Sequence, residues 1–268
     1  MPADDLARAA AASGYDCVQL APAKAIQGVD FSGGFIPDGL AAEIGRAFAR
    51  HGVGIEVLGC YINPIHPDHG VRRALHGLFK QHLRHAGDFG CGIVALESGS
   101  LNADYFPHPG NAGEDAFHRL VDALDELVAE AAACGVSVGI EGVWCHVLHS
   151  PERMLRLLDA IPSPHLCVVL DPVNFITFEN HGDAQGLMRR CVDAFGDRVS
   201  VIHAKDFRAE GGAVKHLPAG RGVMDYGFLL DWFRSRKPGG AVLLEETGGA
   251  PASAFRNLFP RGAFRAMP

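Results

Sequence analysis

The stretch VSVGIEGV, residues 136–143, sets the reading of this chain. Short and rich in β-branched residues, it reads as a buried strand of a parallel sheet, and its apolar run stops at a single carboxylate, Glu141. Upstream, Phe117, Leu120, Val121, Leu124, Leu127 and Val128 recur three or four residues apart, the period of an amphipathic helix. Gly135 stands where that helix must stop before the strand begins.

The same helix-then-strand unit repeats in both directions. Towards the amino end lie YDCVQLA (15–21), VGIEVLGCY (53–61) and CGIVALES (91–98); towards the carboxyl end lie LCVVLDPV (166–173), VSVIHAKD (199–206) and GAVLLEET (240–247). Gly14, Gly52 and Gly90 mark further helix ends, Ser150-Pro151 offers an N-cap followed by a first-turn proline, and Pro37-Asp38 opens another helix. Strict βα alternation implies an all-parallel sheet of the α/β class. Seven strands at a regular pitch favour a closed (β/α)8 barrel over a doubly wound sheet, and no GxGxxG follows the first strand to mark a dinucleotide site. One feature is irregular. The chain begins with a helix where such a barrel begins with a strand, so the first strand would precede Met1, or the barrel closes imperfectly with seven. An open edge leaves backbone groups that need a partner or cover. No linker interrupts residues 1–268, which read as one domain, and the tail SAFRNLFPRGAFRAMP leaves room for a short or irregular last helix only.

Of the 268 residues, 48% are apolar and 21% charged, enough apolar material for a sizeable core. The absence of a run of about eighteen uncharged apolar residues argues against a membrane span. The opening MPADDLARAAAASGYD carries acids and a helical pattern unlike a secretion signal, so a cytoplasmic location is expected. A net charge of −7 opposes a nucleic-acid surface, which needs a basic stripe. The seven cysteines form no CxxC pair and sit mostly in apolar runs, as reduced buried thiols do. Of the fourteen histidines, those in helical stretches, such as His82 and His85, are expected on the surface.

In a barrel of this type the chemistry sits at the carboxyl ends of the strands. Four consecutive strands end in a metal-type side chain: VSVGI-Glu141, LCVVL-Asp171, VSVI-His203 and AVLL-Glu245. They are 30, 32 and 42 residues apart, each about one βα unit, and so converge at one depth in the barrel mouth. Three carboxylates and an imidazole in a water-poor pocket repel one another unless a cation joins them. One divalent metal ion resolves this. An O3N donor set with two positions to spare suits octahedral Mn²⁺, the expected ion, or Mg²⁺ or Co²⁺, with Zn²⁺ as a further option. A lone strand-end acid is commonly a cap or a salt-bridge partner; four in succession are poorly explained that way.

From about Gly14 to Thr247 the sequence resembles the xylose-isomerase-like TIM barrels. These are sugar and sugar-phosphate isomerases and epimerases, with ketose 3-epimerases, inosose dehydratases and abasic-site endonucleases among them. The resemblance is most specific in IEGVWCHVLHSPERMLRLL, VVLDPVNF, VIHAKDF, AGRGVMDY and LLEET. It implies that Glu141, Asp171, His203 and Glu245 bind the metal and that Glu141 and Glu245 are also the acid/base pair. Glu246 is adjacent and competes with Glu245, although the apolar run leads directly into Glu245. The implied chemistry is proton transfer next to a carbonyl through a cis-enediolate. Return of the proton to the other face gives an epimer; return to the neighbouring carbon interconverts aldose and ketose.

Other residues are candidates for substrate contact. Asn174 stands where sugar epimerases of the family often carry a histidine. Lys205 reads either as a ligand for a substrate oxygen or phosphate or as a neutraliser of the nearby acids. Arg221 lies in the GRG loop, where the family places substrate contacts; Glu97 ends its own strand at the same mouth. Asn63 and His66 belong to the loop YINPIHPDH, and Trp144 offers an apolar wall. Asp225 reads as a helix cap, and His146 and His149 match no metal position.

The expected partner is a small carbohydrate, with no nucleic acid and no membrane; a homo-oligomer is compatible with the resemblance, since many relatives are dimers or tetramers. A metal-dependent dehydratase or lyase of a keto-polyol is the alternative, because proton abstraction next to a carbonyl is common to both. An abasic-site endonuclease would use three metals, additional histidines and a DNA-binding crescent, against which the four-ligand set and the negative charge weigh.

Overall fold

The computed structural model describes residues 1–28, 35–255 and 258. Its elements run α1 (Ala3–Ala12), β1 (Cys17–Leu20), α2 (Pro22–Ala25), α3 (Leu40–Arg50), β2 (Gly54–Gly59), α4 (His69–Phe89), β3 (Ile93–Glu97), α5 (Glu114–Cys134), β4 (Ser137–Glu141), α6 (Pro151–Ala160), β5 (Leu166–Leu170), α7 (Ala184–Phe195), β6 (Val199–Glu210), β7 (Ala213–Pro218), α8 (Gly227–Arg236) and β8 (Ala241–Leu244). All seven strands read from the sequence are present. They pair in parallel in the order β1-β2-β3-β4-β5-β6-β8. Strand β7 was not anticipated. It folds back antiparallel on the far half of β6, from Lys205↔Pro218 to Glu210↔Ala213.

The result is a TIM barrel with an unsealed seam. Among the described residues no ladder joins β1 to β8, and a cleft of about 340 Å³ lies there, walled by Tyr15, Cys17, Gln19, Leu243 and Thr247. The chain after β8 reaches across it. The Tyr15 hydroxyl donates to the Ala250 carbonyl (2.7 Å), and the Ala252 amide donates to Ser13 (2.9 Å). Beyond a 3-10 turn at Ala252–Phe255, the tail lies outside the described residues apart from Leu258.

Local signals act as expected at most helix ends. Ser150 accepts a hydrogen bond from the Arg153 amide with Pro151 opening α6, and Gly90 and Gly135 end α4 and α5 in the left-handed region. Pro37-Asp38 does not open α3, which starts at Leu40 after Gly39.

Two cores follow from the period-2 alternation of each strand. Val138, Ile140, Val168, Leu170 and Ile202 face outward into the layer packed by Leu120, Leu124 and Leu127 of α5 and by the other helices. Val57, Ala95, Val169, Val201 and Leu243 face inward and form a separate plug. A side chain at Gly139 would enter this plug, where a Cβ would sit 2.9 Å from Ile93 Cγ2 and 3.0 Å from Val169 Cγ2. Residues two further along each strand keep the inward direction but rise above the plug. The barrel mouth is thus set by the strand period itself.

His82 departs from expectation. It is buried on the inward face of α4 beside Phe79 and Leu83, with Nδ1 2.9 Å from the Leu78 carbonyl, because it falls three residues after Phe79 on the apolar stripe. Burial lowers its pKa. All seven cysteines are free; Cys60, Cys91, Cys167 and Cys191 are buried, the other three half-buried. Among the described residues no helix is long and apolar enough to cross a membrane.

Candidate metal centre

Two residues past Cys17, Ala95, Gly139, Val169, Val201 and Leu243 come Gln19, Glu97, Glu141, Asp171, His203 and Glu245. One donor atom from each of Glu141, Asp171, His203 and Glu245 can be chosen so that all four lie within 4.8 Å of one another. Glu141 is 3% exposed and Asp171 and His203 1% each, while Glu245 is half-buried.

Each side chain is held by its surroundings. The Glu141 Oε1 accepts from Asn174 Nδ2 at 2.8 Å. Asp171 Oδ1 accepts from the Val173 amide at 2.9 Å and from the Asn174 amide at 3.3 Å, capping the turn Pro172–Phe175. Its other oxygen, Oδ2, is buried without an aligned donor; the Lys205 ammonium 2.8 Å away attracts it as a charge, out of line for a hydrogen bond. His203 Nε2 lies 2.9 Å from Gln19 Oε1. With the N–H there, Nδ1 carries the lone pair in the neutral ring. That atom is 3.0 Å from Glu245 Oε1 and 3.3 Å from Glu141 Oε1, hydrogen-bonded to neither.

Two buried orphan atoms, Asp171 Oδ2 and His203 Nδ1, in a set of three carboxylates and one imidazole are what a divalent cation satisfies. The residues fit such an ion. In its absence the same carboxylates hold a proton on the imidazole: burial opposes the charged ring, yet Glu141 and Glu245 raise its pKa to about 10. Burial pushes Asp171 up to about 6. Burial also works to raise Glu245, but His203 and Lys205 outweigh it and hold that carboxyl at about 2. Lys205 stays firmly protonated, Asp171 and Glu245 outweighing its burial, so it is no nucleophile. Glu97 is pushed up to about 7 by burial and by Glu141.

Residues 7–257 match the family model of the xylose isomerase-like TIM barrel. The chain belongs to this family. No curated protein matches its sequence. Among solved structures, the IOLI protein with a binding zinc atom aligns at 15% identity and TM-score 0.70, over 98% of this chain and 90% of that one. D-psicose 3-epimerase in the presence of D-fructose aligns at 18% and 0.66, over 90% and 78%. The probable 3-DHS dehydratase AsbF from Bacillus anthracis aligns at 13% and 0.69, over 96% and 93%. At such identities these structures share the fold.

In this xylose isomerase-like barrel the competition between Glu245 and Glu246 has a geometric outcome. The Glu245 amide donates to the Ala204 carbonyl at 3.1 Å, extending the β8 register so that its side chain enters the mouth. Glu246 turns at φ 54° and is exposed.

The other candidates divide. A cavity of about 900 Å³ above the cluster is walled by Glu97, Asn63, His66, Asn174 and Lys205 together with Glu141 and Glu245. Asn174 and Lys205 are nevertheless committed to the cluster, the ammonium donating to Asn174 Oδ1 at 2.7 Å. Asn63 is a brace: its Nδ2 donates to the carbonyls of Ser100 (2.8 Å) and Asn102 (3.1 Å), and its Oδ1 accepts from the Ser100 amide (3.1 Å). His66 turns Nδ1 to the Asp68 amide at 3.1 Å. Trp144, 48% exposed, and Arg221, also exposed, do not line the cavity. Asp225 is not the cap of α8: the N-cap position is Tyr226, and Asp225, one residue ahead of it, accepts from the Gly227 amide at 2.8 Å in a local turn.

Sequence reasoning missed Gln19, Lys24, Tyr61, Tyr105 and His216. The last four line the cavity. His146 joins them, its Nδ1 3.2 Å from Glu97 Oε2 and its ring edge-on to Tyr105. Only Gln19 carried a visible signal, a polar residue inside the apolar run CVQL.

Proposed function

We propose that this protein is a metal-dependent isomerase or epimerase of a small sugar or sugar phosphate, moving a proton at the carbon beside a carbonyl. One observation carries the reading: Glu141 and Glu245 reach the same point from different strands, each within 3.3 Å of His203 Nδ1. Glu141, Asp171, His203 and Glu245 would hold one divalent ion, Mn²⁺ in the first instance, which when bound polarises the carbonyl and acidifies the neighbouring C–H. One glutamate takes the proton, leaving a cis-enediolate. For an epimer the other, carrying a proton drawn from solvent, delivers that proton to the opposite face while the first gives its own up to solvent. For an aldose–ketose exchange the first glutamate returns the proton to the neighbouring carbon. Asn174 steadies Glu141, and His203 and Lys205 hold Glu245 ionised. The cavity of about 900 Å³ is of small-molecule size. We take residues 1–268 as one domain acting in the cytoplasm, without nucleic acid.

A second reading, dehydration of a keto-polyol, draws on Glu97. A cavity-lining carboxyl pushed up to about 7 keeps a proton near neutral pH and can give it to a departing hydroxyl. Incubating the Mn²⁺-loaded protein in D₂O with a panel of ketoses and inososes separates the two. Deuterium uptake beside the carbonyl with the carbon skeleton otherwise intact, and lost in Glu141→Gln, supports isomerisation. Loss of water supports dehydration. Neither change with any member of the panel contradicts both readings, and exchange by Glu141→Gln at the wild-type rate removes Glu141 from the mechanism.

A further inference from the structure

Lys205 is 5% exposed, and its ammonium has three polar neighbours: Asn174 Oδ1 at 2.7 Å, Asp171 Oδ2 at 2.8 Å and Glu245 Oε2 at 3.0 Å. Asn174 in turn donates to Glu141 Oε1 at 2.8 Å, so the ammonium is tied, directly or through one amide, to every carboxylate of the cluster. The backbone beneath it is fixed as well. The Tyr226 hydroxyl donates to the Lys205 carbonyl at 2.6 Å and accepts from its amide at 3.2 Å. Two of its three N–H groups are given to Asn174 Oδ1 and Glu245 Oε2, and Asp171 Oδ2 lies against it as a charge, so the ammonium is held by the cluster.

A fixed cation beside a metal centre repels the ion, which demands a reason for its presence. Three carboxylates alone present a charge of −3; with Lys205 the set presents −2, His203 contributing a neutral Nδ1 donor while Gln19 holds Nε2. A shell of −2 is neutralised by a divalent ion and a shell of −3 by a trivalent one. We propose that Lys205 sets the charge class of the bound ion, biasing the centre towards divalent and against trivalent cations. The proposal rests on the metal-centre reading above. One unit charge about 5 Å away, through an effective dielectric of about 20, alters binding by roughly two orders of magnitude per unit of ion charge. The ammonium therefore penalises a trivalent ion more than a divalent one.

The test is calorimetric titration of the full-length protein with Mn²⁺ and with Tb³⁺, in wild type, Lys205→Gln and Lys205→Arg. The Tb³⁺-to-Mn²⁺ affinity ratio should rise at least tenfold in Lys205→Gln, a conservative share of that Coulomb difference, and stay at the wild-type value in Lys205→Arg. An unchanged ratio in Lys205→Gln, in a protein whose wild type binds Mn²⁺, overturns the role of Lys205 and leaves the metal centre standing. An equal rise in Lys205→Arg also overturns it, since charge would then not be the cause. A wild type that binds neither ion removes the metal centre and this proposal together. Should Lys205→Gln fold only with an ion present, the ion concentration needed for refolding gives the same ratio, and equal requirements for Mn²⁺ and Tb³⁺, or no refolding with either, count against the proposal.

Discussion

Gln19 on β1 and His203 on β6 meet across the barrel, Oε1 to Nε2 at 2.9 Å, although 184 residues separate them. The contact fixes the tilt of the imidazole and, in the neutral ring, its tautomer, so that Nδ1 turns its lone pair towards Glu141 and Glu245 once the proton has left. Tyr61 orients the amide by taking its Nε2. The residue that aims the ring therefore belongs to the strand beside the open seam.

Replacing Gln19 by Leu should weaken Mn²⁺ binding by about 10–100-fold, as loss of an outer partner to a ligating histidine typically does, with little change in thermal stability. Calorimetric titration checks this. A loss below twofold would show that the ring needs no such restraint.

Ion binding should depend on pH with a definite sign. The ion-free centre keeps a proton on His203 up to about pH 10, and that proton must leave before Nδ1 can donate to a metal. Mn²⁺ affinity should accordingly rise with pH, by up to tenfold per unit between pH 7 and 9, and level off as pH 10 is passed. The same raised pKa means that protonation of His203 stabilises the ion-free fold below its unfolded value of about 6.5, a contribution lost as pH climbs through 10. Affinity that is flat from pH 7 to 9 contradicts this.

Adjacent glutamates should behave oppositely. Glu245→Gln removes a donor and should lower Mn²⁺ affinity at least tenfold, whereas Glu246→Gln, at an exposed side chain, should leave it within twofold of wild type. The reverse ranking would mean that β8 enters the mouth one residue out of register.

Asp206 tests stability apart from the metal. Fully buried, its carboxylate accepts from the amides of Phe207 (2.8 Å), Met224 (2.9 Å) and Gly220 (3.0 Å), pinning the chain between β7 and α8. Asp206→Ala strands these donors and should cost about 3 kcal/mol in urea unfolding. A cost below about 1 kcal/mol would mean that water replaces the carboxylate without penalty.

How much was legible follows from what kind of pattern each feature is. The strands and the four candidate ligands are local patterns, an apolar run that ends in one polar side chain, and the period of 2 carries that chain inward without knowledge of any neighbour. The open seam was visible for the same reason, since it depends on counting elements. Gln19 was not singled out because its meaning depends on a residue far along the chain. Asn63 and Asn174 read as substrate contacts because a free amide and a committed one look alike in sequence; only the packed loops reveal the donors and acceptors that occupy them. The β7 hairpin escaped notice because the strand is short and its centre, Lys215 and His216, is polar and exposed, although the Gly211-Gly212 pair before it is a turn signal.

Anomalous diffraction from crystals grown with Mn²⁺ is the most direct test of the four-residue centre. The expected map has a single peak bonded to Glu141, Asp171, His203 through Nδ1, and Glu245, each at roughly 2.0–2.3 Å. A peak elsewhere, a cluster of three, or a coordination sphere lacking two or more of these side chains would contradict it.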